Sequence, residues 1–189
     1  MRRSAVQKEL PEGLRFLPEF LPPEEELALV AFASGIAYGE VRMHGVTARR
    51  RVAHFGWHYS FDGYKLTPAE PVPAPLLPLR ERTAAETGIT AEEFSEALLI
   101  EYQPGAGIGW HRDAPPFGII AGISLAGTCK MRFQKGTGAD RMVSELVLPP
   151  RSMYLLTGSA RKEWQHSIPP TKELRYSITF RTMRWTPKS

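Results

Sequence analysis

Two residue types able to hold a metal stand two positions apart in Gly109-Trp110-His111-Arg112-Asp113, directly after the strand-like run ALLIEYQPG, in a chain with five histidines and three aspartates among 189 residues. In an extended strand, residues i and i+2 project to one face. An imidazole and a carboxylate can therefore meet at one point while Arg112 faces away. The pair alone is a weak signal, since this composition yields about 0.08 His-x-Asp pairs by chance, and a third donor is required. His166, in ARKEWQHSIPP after the strand-like SMYLLTG, can supply it if a β-sandwich brings strands distant in sequence to one mouth. Two imidazoles and one carboxylate on one side of an ion leave the opposite positions open. That is the arrangement of non-haem Fe(II) oxygenases, and a three-ligand open site equally suits catalytic zinc.

A second set of chemically capable residues lies in Arg175-Tyr176-Ser177-Ile178-Thr179-Phe180-Arg181. Strand alternation puts residues 175, 177, 179 and 181 on one face, and Tyr176, Ile178 and Phe180 on the other. A core strand thus carries two arginines on its polar face, with Cα atoms about 20 Å apart. Only long side chains leaning towards each other can share a small ligand. The guanidinium fork matches carboxylates bidentately, so a dicarboxylate reaching towards the metal is the natural candidate.

The elements that must position these groups are legible in outline. Pro22-Pro23 and three consecutive glutamates ahead of LALVAFA predict a helix from about Pro23 to Ser34, with acid at the positive end of its dipole. Leu76 to Thr87 reads as a second helix closed by Gly88. HFGWHYSF alternates Phe55, Trp57, Tyr59 and Phe61 with His54, Gly56, His58 and Ser60, the period of one half-buried strand with an aromatic face. In such a strand His54 and His58 stand about 13 Å apart, so they are expected to be non-ligands. From Ala97 onward, short β-type runs separated by turn residues predict a β-sandwich of jelly-roll type. The fold class is therefore α+β and mainly β, a jelly-roll core over 91–189 behind a helical and aromatic N-terminal layer over 1–90.

Composition bounds the function. A hydrophobic content of 42% in 189 residues suits one domain spanning 1–189. The single cysteine, Cys129, excludes an internal disulfide framework and reads as a small residue filling a strand position. The opening residues lack the apolar stretch of a secretory signal, and no run approaches the roughly 18 apolar residues of a membrane span. A cytoplasmic protein without a membrane partner is the expectation. A net charge of +4 permits an anionic partner without demanding one.

Taken together, Tyr102-Gln103-Pro104-Gly105 leading to His111-x-Asp113, LLTGSARKEWQHSI with His166, and RYSITFR make the chain resemble the AlkB family of Fe(II)- and 2-oxoglutarate-dependent dioxygenases, from Arg49 to about Met183. The resemblance implies a double-stranded β-helix with a substrate-covering lid, Fe(II) held by His111, Asp113 and His166, and 2-oxoglutarate and dioxygen as cosubstrates. It assigns Tyr102 and Arg175 to the distal carboxylate of 2-oxoglutarate and Arg181 to the carboxylate beside its keto group, with Ser177 as a further contact. Many members carry asparagine where this chain has Ile100 and Ser177, so one cosubstrate hydrogen bond is altered. The implied activity is oxidative demethylation or dealkylation of nucleic-acid bases in single-stranded DNA or RNA. Well-studied repair members follow His-x-Asp with acidic residues, whereas Asp113 is followed by Ala114-Pro115-Pro116. That departure favours two alternatives: a hydroxylase or demethylase of a protein side chain or small molecule, or a non-catalytic module that binds 2-oxoglutarate or metal. Arg49-Arg50-Arg51, with Tyr59 near the mouth, is the expected substrate-facing segment, its arginines contacting phosphates. The sequence does not indicate an oligomeric state.

Overall fold

Apolar residues on both faces of a run require cover on both sides, and Phe94–Tyr102 is buried at nearly every position. The computed structural model, which describes residues 10–43, 46–60, 63 and 65–184, satisfies this with helices on one side and a second sheet on the other. In chain order the strands are β1 (Leu14–Leu17), β2 (Gly39–Met43), β3 (Val46–Phe55), β4 (Trp57–Ser60), β5 (Lys65–Pro68), β6 (Phe94–Tyr102) and β7 (Ile108–His111). They continue as β8 (Phe117–Leu125), β9 (Cys129–Lys135), β10 (Met142–Leu148), β11 (Met153–Leu156), β12 (Gln165–Ile168) and β13 (Arg175–Met183). The helices are α1 (Pro23–Ser34), α2 (Leu77–Thr87) and α3 (Gly158–Lys162).

A major sheet in the order β1-β11-β8-β13-β6-β3-β2 faces a minor sheet in the order β10-β9-β12-β7, and β4-β5 form a separate hairpin. This is the mainly-β jelly roll expected. The segment ahead of residue 91 is more than a helical layer, because it also contributes β1, β2 and β3 to the major sheet.

Alternation along the central strands separates two cores. Leu99, Ile123, Leu155, Ile178 and Phe180 pack outward against Leu29 of α1 and Leu79 of α2. Ile100, Ile120 and Leu156 point inward to meet Met131, Phe133 and Ile168 of the minor sheet. Each fully buried aliphatic or aromatic side chain contributes about 1.5–3 kcal/mol, so the outer core holds the helices and the inner one clamps the sheets. The inner face of β13 is the exception. There Arg175, Ser177 and Thr179 are buried polar residues, as the alternation of RYSITFR requires. Prolines and acids start α1, and Gly88 closes α2 at φ +70° with its N–H on the Ala84 carbonyl. Among the described residues, no helix is long and apolar enough to cross a membrane.

HFGWHYSF is not one strand. Gly56 adopts φ +77°, a Cβ there would collide with the Ser95 carbonyl oxygen, and the chain turns between β3 and β4. The expected aromatic face is thereby divided: Phe55 packs on the outer core and Tyr59 in the inner one, while Phe61 lies outside the described residues. The turn also brings the His54 and His58 rings to 4.3 Å, far closer than a straight strand allows. Gly56→Ala is expected to destabilise the protein by about 1–3 kcal/mol, the usual cost of a side chain in the left-handed region. Urea denaturation checks this, and an unchanged midpoint would show that the turn tolerates a Cβ.

Candidate metal and cosubstrate site

β7 and β12 are neighbours in the minor sheet, and His111 pairs directly with His166 in their register. The pairing of strands more than fifty residues apart turns a short motif into a cluster. The two rings lie 4.3 Å apart, and Asp113, just past the end of β7, places Oδ2 3.5 Å from His166 Nε2. One ligand atom from each of His111, Asp113 and His166 lies within 4.8 Å of the others, so the three could hold one ion. His111 Nδ1 lies 2.9 Å from the Gly109 carbonyl oxygen. That oxygen can only accept, so Nδ1 carries the proton and Nε2 keeps its lone pair for a metal.

The electrostatics suit a cation. Burial would raise the Asp113 carboxyl, but the Arg181 guanidinium, with His166 and His111 beside it, outweighs burial and holds it well below the usual carboxylate range. Burial is also the main cause that pushes His166 down to about 3, aided by His111, and it lowers His111 too. Near neutrality a carboxylate and two neutral imidazoles are thus in their ligating forms, so no proton must leave when a cation binds.

The rest of the predicted set lies along the inner face of the major sheet. Arg175 is paired in register with Tyr102, and Arg181 with Glu96. Arg175, only 1% exposed, donates from Nε to Ser124 Oγ at 2.9 Å and lies with Cζ 5.0 Å from the Tyr102 ring centroid. Its Nη1 is buried without a hydrogen-bond partner among the described residues. A buried guanidinium with an idle donor is costly unless an anion completes it, which fits one carboxylate of 2-oxoglutarate. Arg181 donates from Nη1 to Glu96 at 3.0 Å and from Nη2 to Asp113 Oδ1 at 2.6 Å, leaving its buried Nε without a partner. A cavity of about 510 Å³ between the sheets is lined by the metal cluster together with Tyr102, Ser177 and Arg181.

The arginine triplet does not act as a unit. Strand alternation turns Arg51 outward, where it binds Glu101 at 2.6 Å and lies with Cζ 5.8 Å from the Tyr38 ring centroid. Exposed Arg49 has its guanidinium beside Gly105. Only Arg50 of the three lines the cavity, with Val52 and His54 along the same face of β3 and with Tyr59. Of the three arginines expected to face a substrate, the structure thus places Arg50 at the cavity wall.

Several site residues escaped the sequence reading. Ser124 carries no motif, but Glu96 shares the parity of Leu98, Ile100 and Tyr102, and an acid on the buried face of a strand requires a partner. Arg161 of α3 is 6% exposed and donates to the carbonyls of Ala114, Phe117 and Gly118 at 2.8, 2.7 and 3.1 Å. It ties the loop after Asp113 to the helix before His166.

Comparison with known proteins agrees with this geometry. The model of the 2OG-Fe(II) oxygenase superfamily matches residues 13–181. The "tRNA (carboxymethyluridine(34)-5-O)-methyltransferase alkbh8" of Xenopus tropicalis is 25% identical over 90% of this chain, which spans only 27% of that relative. The mitochondrial "Alpha-ketoglutarate-dependent dioxygenase alkB homolog 7" of Bos taurus is 30% identical over 87% of this chain and 71% of its own length. Among solved structures, OsALKBH1 superposes with a TM-score of 0.73 at 14% identity, covering 93% of this chain and 99% of that one, which shows the shared fold. A match over nearly the whole described chain, on a fold that brings His111, Asp113 and His166 together, places the protein in the AlkB family of 2OG-Fe(II) oxygenases, enzymes that use Fe(II), 2-oxoglutarate and dioxygen.

Proposed function

We propose that the protein, acting as one dioxygenase domain, oxidatively removes or hydroxylates an alkyl group on a nucleic-acid base presented from a single strand. Bound iron and 2-oxoglutarate supply the oxidising chemistry. The chain's own residues hold the ion open on one side, seat the dicarboxylate between Arg175 and Arg181, and enclose the target in the cavity. In this reading β2, β3 and the β4-β5 hairpin form the substrate-facing cover, with Arg50 and Tyr59 on its inner side.

One observation carries the choice of substrate. A second cleft is lined by Arg112, Arg161, Lys162 and Arg184, and it adjoins the main cavity at Arg112 and Asp113, which line both. Arg161 is engaged by backbone carbonyls. The other three are exposed, and Arg112 also donates to the Glu163 carbonyl oxygen at 3.0 Å. Three exposed cations beside the reaction cavity suit the phosphates of a strand whose base turns towards the metal. Relatives named for tRNA and for DNA repair are consistent with this partner.

Three phosphate contacts on a single strand predict a slope of about −2 in log K against log salt, or roughly a twentyfold loss of affinity from 50 to 200 mM. Replacing Arg112, Lys162 and Arg184 together by alanine is expected to flatten that slope. Fluorescence anisotropy with a labelled single-stranded oligonucleotide measures it, alongside mass-spectrometric turnover of alkylated DNA and RNA. Salt-independent binding by the unmodified protein, with no turnover of either, would reject the nucleic-acid reading. A protein side chain or small molecule is the second reading. It is favoured by the loop Ala114-Pro115-Pro116, which offers no acid to a base edge, and methylated peptides in the same turnover panel test it.

A further inference from the structure

We infer that Glu96 is a positioning residue that sets the aim and the net charge of the metal end of the cavity, acting through Arg181. Its carboxylate is fully buried on the inner face of β6, in direct register with Arg181. Both oxygens are engaged: Oε1 lies 3.1 Å from His54 Nδ1, and Oε2 accepts from Arg181 Nη1 at 3.0 Å. The other terminal nitrogen of Arg181 donates to Asp113 Oδ1 at 2.6 Å. The guanidinium is thus strung between two carboxylates, and swinging it away from either loses a charge-assisted bond. Held there, it fixes Oδ1 of Asp113 and leaves Oδ2 facing His166.

The second consequence concerns charge. A buried guanidinium beside a cation site repels the ion, and Glu96 cancels that repulsion. Glu96, Arg181 and Asp113 together carry one net negative charge, whereas Arg181 and Asp113 alone carry none. An apolar residue on this face would pack as Leu98 and Ile100 do, so packing does not account for an acid here. His54 extends the same connection to the cavity wall, where its ring lies 4.3 Å from that of His58.

The inference rests on the assignment of His111, Asp113 and His166 as the metal ligands, and it predicts two changes of opposite sign. In Glu96→Gln, which keeps a hydrogen-bonding side chain without the charge, Mn(II) affinity is expected to fall roughly tenfold, the scale of one unit charge at the effective dielectric of a protein interior. In the Mn(II)-loaded protein, 2-oxoglutarate affinity is expected to rise severalfold, because the freed guanidinium attracts an anion. Titration calorimetry without oxygen reads both. A residue that only supports the fold would weaken both affinities together, and that result, or no change in either, overturns the proposal. The double variant Glu96→Gln with Arg181→Gln, compared with Arg181→Gln alone, isolates the charge of Glu96 and should bind Mn(II) roughly tenfold more weakly than that single variant. This comparison carries the test if Glu96→Gln alone does not fold, and equal Mn(II) affinities in the two would also overturn the proposal. Asp113→Ala is the separate control: if it still binds Mn(II) fully, the ligand assignment fails before the role of Glu96 is reached.

Discussion

Asp113→Ala is expected to abolish succinate production and to lower Fe(II) affinity by at least about a hundredfold, because loss of a mere outer partner of a metal ligand commonly costs 10–100-fold. Two effects add. The only anionic donor of the cluster disappears, and the Arg181 guanidinium that it neutralised at 2.6 Å is left facing the ion. The fold is expected to survive, since Asp113 lies beyond β7 and Arg181 keeps its bond to Glu96. Anaerobic Fe(II) titration, followed by succinate assay in air, measures both quantities. Full iron binding together with full turnover in the variant would remove Asp113 from the site.

Arg175→Ala is expected to raise the concentration of 2-oxoglutarate needed for half-saturation by roughly ten- to a hundredfold, the equivalent of a charge-assisted bond worth about 1.5–3 kcal/mol. Metal affinity is expected to stay within a few-fold, because the described contacts of Arg175 are with Ser124 and Tyr102 and not with the metal cluster. Arg175→Lys restores the charge without the fork and should recover only part of the loss. Titrating 2-oxoglutarate into the anaerobic Fe(II) protein reads this directly. Unchanged affinity would leave the idle Nη1 unexplained and the cosubstrate elsewhere. Arg181→Ala should behave differently. Its terminal nitrogens are already held by Glu96 and Asp113, so its loss is expected to alter metal and cosubstrate affinity together.

The parts of the site that depend on local periodicity were legible in the sequence. RYSITFR separates its faces as alternation demands, with Tyr176, Ile178 and Phe180 on the helical side. The prolines, acids and Gly88 locate α1 and α2 to within a residue or so. What escaped depends on one backbone angle or on pairing between distant strands. Gly56 looks like a gap in an alternating run until its positive φ turns the chain. Arg51 looks equivalent to Arg50 until the partner across the strand, Glu101, claims it on the opposite face. Glu96 carried a signal in its parity that the sequence analysis did not use, and its partners His54 and Arg181 come from strands on either side of β6, an adjacency that spacing in sequence does not encode.

Arg161 bears on how fast the ion is captured. Its three bonds to the carbonyls of Ala114, Phe117 and Gly118 act as a buckle between the segment that follows Asp113 and the short helix that leads into His166. The arms carrying these two ligands therefore move as one piece, and the open face they present does not have to be gathered from a wandering loop. Capture of the ion is then expected to need little rearrangement of the chain, and unbuckling the arms with Arg161→Met is expected to slow it.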